Sequence, residues 1–125
     1  VLFRSSINSI AVTGDGKRAI SASTDASLRL WDLETRSEIA VLEGHTGFVT
    51  SVALSPDGRR ALSGGGDRSV RLWDLETARE IKSFSGHRRP VWTVAFTPDG
   101  KRALSGGHDE VIKVWDIESG NEIVP

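Results

Sequence analysis

Short runs of alternating apolar and polar residues, broken by Gly, Pro and Asp, follow one another along the whole chain. Val49 to Leu54, Arg60 to Ser63, Ser69 to Leu72 and Glu80 to Phe84 form the clearest set. Alternation at every second residue marks a strand with one buried face, and runs this short between turn residues predict four short strands. Pro-Asp-Gly and Gly-rich punctuation interrupts the pattern before an amphipathic helix of useful length can form. The predicted fold class is therefore all-β. Pro56-Asp57-Gly58 suits a tight hairpin turn, because Pro presets φ, Asp bonds the local backbone and Gly accepts positive φ. Pro98-Asp99-Gly100 repeats it. Gly14-Asp15-Gly16 lacks the proline, so its turn should persist but be looser by up to ~1 kcal/mol.

The pattern has a period of 42 residues. Trp31-Asp32, Trp73-Asp74 and Trp115-Asp116 recur at that spacing, as do the three turns above and Asp25, Asp67 and Asp109. Gly44-His45 and Gly86-His87 keep the same interval, whereas Leu2-Phe3 stands where an earlier Gly-His would fall. Three units, approximately 1–42, 43–84 and 85–125, make up one domain spanning 1–125. After Trp-Asp the third unit reaches Gly120 where the others have Arg36 and Ala78, so those two turns are expected to carry strain.

Composition narrows the function classes. The chain has 125 residues, 38% hydrophobic and 26% charged, which suits one ordinary globular domain. Sixteen Lys and Arg against seventeen Asp and Glu remove the single-sign field of non-specific nucleic-acid binders, so nucleic acid is a disfavoured partner. Without cysteine there is no disulfide framework, thiolate metal site or cysteine nucleophile. No apolar run approaches the roughly 20 residues of a membrane span, and the start has no basic-then-apolar leader. No membrane association and a cytoplasmic setting are the resulting expectations. The lack of methionine marks Val1 as no translation start, which reads the chain as a piece of a longer one.

Taken together, Gly-His, Pro-Asp-Gly, the loop Asp and Trp-Asp in this order and period resemble WD40 repeats, the four-stranded antiparallel blades of β-propellers, over essentially the whole chain. The run SVALSPDGRRALSGGGDRSVRLWDLETAREI is similar to the amplified blades of bacterial multidomain signalling proteins. The resemblance implies a buried hydrogen-bond chain from Trp to Ser to His to Asp in each blade. It would run through Trp73, Ser63, His45 and Asp67 in unit two, and Trp115, Ser105, His87 and Asp109 in unit three. Unit one keeps Ser21, Asp25 and Trp31 but has Phe3 at the histidine place, so its set should be broken or completed differently. A displayed Ser-His-Asp set invites the alternative of a hydrolase. The sequence supplies no oxyanion hole, and one copy per blade suits architecture better than catalysis. His45, His87 and His108 lack metal-ligand spacing, so no metal or other cofactor is expected.

Shared residues report the common fold, and residues that differ between units are free to serve function. Unit three has Arg88-Arg89-Pro90-Val91-Trp92 where unit two has Thr46-Gly47-Phe48-Val49-Thr50, and His108 where unit two has Gly66. By the resemblance, Phe48, Thr50, Pro90, Trp92 and His108, with Ser6, Asn8 and Thr24, line the wide top of the propeller. Trp92 with Arg88 and Arg89 is the expected partner contact. The basic pairs Lys17-Arg18, Arg59-Arg60 and Lys101-Arg102 read as solvated hairpin ends. The implied function is a non-catalytic scaffold for a protein or peptide partner. Three blades leave a part-propeller with both end faces open, so it needs further blades or copies to close. Head-to-tail homo-oligomers are expected to cover those faces, two copies being preferred to three, unless a larger multidomain signalling protein supplies the blades.

Overall fold

The alternation predicted from the sequence folds as antiparallel sheets throughout residues 5–123, the part of the chain that the computed structural model describes. Blade one contains β1 (Ile7–Val12), β2 (Arg18–Ser23), β3 (Leu28–Asp32) and β4 (Ser37–Leu42). Blade two contains β5 (Val49–Leu54), β6 (Arg60–Gly65), β7 (Ser69–Asp74) and β8 (Arg79–Ser85). Blade three contains β9 (Val91–Phe96), β10 (Arg102–Gly107), β11 (Ile112–Asp116) and the two-residue β12 (Glu122–Ile123). Within each sheet the strands pair in chain order, and no helix occurs among the described residues.

β5 has the bounds that alternation predicts, whereas β6, β7 and β8 run longer than expected. Gly64 and Gly65 extend β6 although glycine ordinarily weakens a strand, because neighbouring chains pass too close for a side chain. A Cβ on Gly64 would lie 2.6 Å from Val91 Cγ1, and one on Gly65 would lie 2.1 Å from the Phe48 carbonyl oxygen. The Trp-Asp pair belongs to β7 because Trp73 pairs with Ala61 and Asp74 with Arg60.

The blades stack through opposite faces. Ile20, Leu28, Leu30 and Leu42 of blade one pack against Val49, Val52, Ala61, Trp73 and Leu75 of blade two. One period later, Leu62, Val70, Leu72 and Phe84 pack against Val91, Val94, Ala103, Trp115 and Ile117. The first strands of neighbouring blades are also stitched by repeated hydrogen bonds. The Asn8 amide donates to the Val49 carbonyl, and the Thr50 hydroxyl donates to the Val91 carbonyl. The Val52 and Val94 N–H groups donate to the Ser9 and Ser51 hydroxyls. The ring is not closed: one apolar face remains uncovered at each end, and Ile10, Val12 and Ile112 are exposed.

At the β5–β6 hairpin the Gly58 N–H donates to the Ser55 carbonyl and Gly58 has φ 72°. The Ser55 hydroxyl and the Arg59 N–H both donate to Asp57 Oδ1. The proline-free turn survives with the same bonds, Gly16 N–H to the Thr13 carbonyl and Thr13 hydroxyl to Asp15 Oδ1. Arg36 and Ala78 do sit at positive φ, 60° and 58°, where the third unit has Gly120 at 78°. Positive φ also occurs at Ala26, Arg68 and Glu110, each directly after the loop Asp, where nothing in the residue types announced it.

Candidate functional site

Each hydrogen-bond chain starts at an indole, which can only donate. Trp73 Nε1 donates to Ser63 Oγ at 2.7 Å, and Ser63 Oγ lies 2.6 Å from His45 Nε2. Having accepted from Trp73, the hydroxyl places its single proton on Nε2. Nδ1 therefore carries the ring proton and donates to Asp67, 3.0 Å from Oδ2 and 3.1 Å from Oδ1. Blade three repeats the arrangement. Trp115 Nε1 to Ser105 Oγ is 2.9 Å, Ser105 Oγ to His87 Nε2 is 2.7 Å, and His87 Nδ1 to Asp109 Oδ2 is 3.0 Å. The chain ties the loop before the first strand (His45), the second strand (Ser63), the β6–β7 turn (Asp67) and the third strand (Trp73). The carboxylate also accepts from the Thr46 N–H, or in blade three the Arg88 N–H, so the entry loop and the turn share one anchor.

Burial pushes the His45 pKa below its usual value, and the opposing attraction of Asp67 is the smaller influence. The imidazole is accordingly neutral around pH 7, which agrees with Nδ1 as donor. For Asp67, desolvation is the largest single influence and acts upward. It is outweighed by hydrogen bonds from the Ser69 hydroxyl, the Ser69 N–H and the Thr46 N–H, so the carboxylate stays below the ordinary range. Ser63 and Ser105 are 0% and 1% exposed, with hydroxyls engaged on both sides. A nucleophile has to meet its substrate, and these hydroxyls lie inside the blade wall. The arrangement can pin loops and strands; it cannot present a serine.

Among the described residues, blade one retains only the first leg, Trp31 Nε1 to Ser21 Oγ at 2.9 Å. Asp25 instead accepts from the Ser27 hydroxyl and N–H and stands 3.8 Å from an Arg29 nitrogen. Phe3, at the histidine place, lies outside the described residues. Blade one thus binds its loop Asp by a local serine rather than by an imidazole.

Antiparallel pairing brings the starts of β1, β5 and β9 to the same end as the β2–β3, β6–β7 and β10–β11 turns, since Val49 pairs with Gly65 and Val91 with Gly107. At that end, Asn8, Thr24, Phe48, Thr50 and Trp92 surround a cavity of about 380 Å³. Ser6 is placed there through its carbonyl, which accepts from the Thr24 N–H. Trp92 is 49% exposed and Phe48 40%, and the Trp92 ring stands 4.8 Å from the His108 ring at 52°. Arg88, Arg89, Pro90 and His108 line a second recess of about 470 Å³, and Arg68 joins them. Sequence reasoning missed Arg68. The signal was available, since the residue after the loop Asp differs in every unit: Ala26, Arg68 and Glu110. Among the described residues, no three His, Asp or Glu side chains stand close enough to hold a metal ion.

The family model described as WD domain, G-beta repeat matches residues 3–32, 36–74 and 78–116. Each of the last two matches begins at the fourth strand of one blade and ends with the third strand of the next, so the sequence repeat and the folded blade are offset by one strand. Autophagy-related protein 16 of Arabidopsis thaliana is 40% identical over 50 residues, covering 40% of this chain and 10% of that protein. A probable E3 ubiquitin ligase complex SCF subunit scon-2 of Neurospora crassa is 44% identical over 43 residues, 34% of this chain and 7% of that protein. Among solved structures, U3-55K superposes with a TM-score of 0.94 at 27% identity, over 99% of this chain and 40% of its own. The RRP9 WD40 repeats give the same TM-score and identity, with 99% of this chain matching 39% of theirs. The chain thus spans about two fifths of these structures and a tenth or less of the curated relatives.

Proposed function

Because the chain belongs to the WD40 repeat family, we propose that it is a non-catalytic interaction scaffold that receives a protein or peptide partner at the rim formed by Phe48, Thr50, Arg88, Arg89, Pro90, Trp92 and His108. The observation that carries this reading is the exposed Trp92–Phe48 cleft, at the end of the blades where unit three departs from its siblings. Large aromatic rings in a concave, half-open setting are the usual anchors of protein interfaces. One relative is named as a subunit of a ubiquitin ligase complex, which suits a scaffold role. The test is peptide selection on the immobilised chain, followed by titration of the selected peptides against Trp92→Ser. An anchor worth about 2 kcal/mol lowers affinity about 30-fold. Selected peptides that bind Trp92→Ser and Phe48→Ser as tightly as the parent would refute the reading.

The uncovered end faces belong to the same proposal. Ile7, Ile10, Ala19, Trp31 and Leu33 surround an apolar hollow of about 340 Å³ on blade one, together with Val12 and Ser21. They stand one period before Val49, Val52, Ala61, Trp73 and Leu75, which are covered by blade one itself. On blade three, Leu104, Ile112 and Val114 stand one period after Leu62, Val70 and Leu72, which are covered by blade three. The two open faces are therefore the two halves of an interface that the chain already makes twice. Our reading assigns them to a second copy joined head to tail, giving six blades. Light scattering after size-exclusion chromatography should give twice 13.5 kDa. A monomer at all concentrations would overturn the copy-on-copy assignment.

A further inference from the structure

We propose that the recess between blades two and three at this rim binds an anionic group, a phosphate monoester or a carboxylate, carried by a peptide whose neighbouring residue is apolar. This deepens the scaffold reading and rests on it.

The recess is lined by three arginines, Arg68, Arg88 and Arg89, with Pro90 and His108, and no carboxylate shares the lining. Arg68 comes from the β6–β7 turn and Arg88 and Arg89 from the β8–β9 loop, so two separate blades contribute the charge. Of the acids adjoining these residues in sequence, Glu110 lies outside the lining, and Asp67 and Asp109 are spent elsewhere. Asp67 turns inward to His45, Thr46 and Ser69, and Asp109 to His87 and the Arg88 backbone N–H. No hydrogen bond or ion pair engages the three guanidinium groups among the described residues. By contrast Arg71, on the outer part of blade two, meets Glu80 at 2.6 Å and Asp67 at 3.5 Å. Guanidinium groups stay charged at any physiological pH and offer forked donors that match phosphate or carboxylate oxygens. Gathering three of them around one concavity without counter-charge raises the local potential, and an incoming anion relieves it.

The adjoining cleft sets the second half of the specificity. Trp92 lines that cleft while its ring packs on His108, which lines the recess, so one aromatic pair forms the wall between the two hollows. A peptide seated across that wall puts its anion among the arginines and a nearby apolar side chain against Trp92 and Phe48. The basic pairs at the opposite end make a natural control. Arg59 and Lys101 are exposed there, but each adjoins Asp57 or Asp99, which accepts its backbone N–H.

The test uses fluorescently labelled nonapeptide pools with a leucine two residues from a fixed central phosphoserine, glutamate or serine, titrated by anisotropy against the whole chain. The phosphoserine or glutamate pool should bind at least ten-fold tighter than the serine pool, and the ratio between those two identifies the anion. Arg68→Ser, Arg88→Ser and Arg89→Ser should each lose about five-fold or more toward the anionic pool, while Arg59→Ser and Lys101→Ser leave it unchanged. If all three pools bind alike and only Trp92→Ser weakens them, the scaffold reading stands and the anion site is overturned. If no pool binds better than serine and Trp92→Ser has no effect, both fail. Binding of a single-stranded oligonucleotide, lost in the arginine variants with no anionic peptide bound, would likewise overturn the assignment to a peptide.

Discussion

Ser63→Ala is the most informative single change, because it removes one oxygen and almost no volume. In the folded chain that oxygen accepts from Trp73 Nε1 at 2.7 Å and bonds His45 Nε2 at 2.6 Å, with Ser63 and Trp73 both 0% exposed and His45 7%. The variant strands a buried indole donor and a buried imidazole acceptor. Each unsatisfied group costs ~1–3 kcal/mol, so a loss of about 3 kcal/mol is expected. In blade one, the one side-chain partner of Ser21 among the described residues is Trp31, which is only half-buried with its ring at the open face. Ser21→Ala should therefore cost about 1 kcal/mol or less. Urea unfolding followed by circular dichroism measures both. With a slope of about 1.5 kcal/mol per M, Ser63→Ala lowers the midpoint by about 2 M. A double cycle with Trp73→Phe should show coupling above about 0.5 kcal/mol, since the two residues share one bond. Equal losses for Ser63→Ala and Ser21→Ala would refute the claim that a complete four-membered chain is what makes the serine matter.

Other expectations follow from neighbouring features. His45 has a folded pKa held below its usual value, so the unfolded chain takes up the proton first as pH falls. The associated stability is fully present above about pH 6.5 and is lost on going lower; the urea midpoint should drop between pH 7.5 and 5.5, less so in His45→Gln, and a midpoint that rose would be incompatible with a neutral buried imidazole. Arg36 is exposed at φ 60°, so Arg36→Gly should stabilise by up to ~1 kcal/mol, while Gly120→Ala at φ 78° should destabilise by a similar amount; thermal melts showing the same sign for both would contradict the strain argument. Gly64→Ala forces a Cβ to within 2.6 Å of Val91 and should cost ~1–3 kcal/mol. Gly106→Ala, one period later on the open face, meets only Thr93 Cγ2 at 3.3 Å. It should leave chain stability within ~0.5 kcal/mol and yet weaken association, which sedimentation of the two variants can separate.

Much of this architecture was legible because its signals are local or periodic. Alternation specifies strands residue by residue, Pro-Asp-Gly specifies a turn within three residues, and a 42-residue period copies one solution along the chain. The members of the hydrogen-bond chains could be named in advance only through the resemblance to WD40 repeats that these recurring motifs carry. Even the strain at Arg36 and Ala78 was visible, since a sibling unit has glycine at that place. What the sequence could not supply were quantities set by contacts between distant segments. Gly64 and Gly106 have the same neighbours in sequence, yet one touches the next blade and the other meets only Thr93 of its own blade. Arg68 became part of a recess only when blade three brought Arg88 and Arg89 beside it. The neutral state of His45 depends on burial, which no residue type states, and the end of β6 depends on how closely Phe48 and Val91 approach glycine. Local preferences determined the blades, and the stacking of one blade on the next decided which of their repeated features are buried, charged or free to meet a partner.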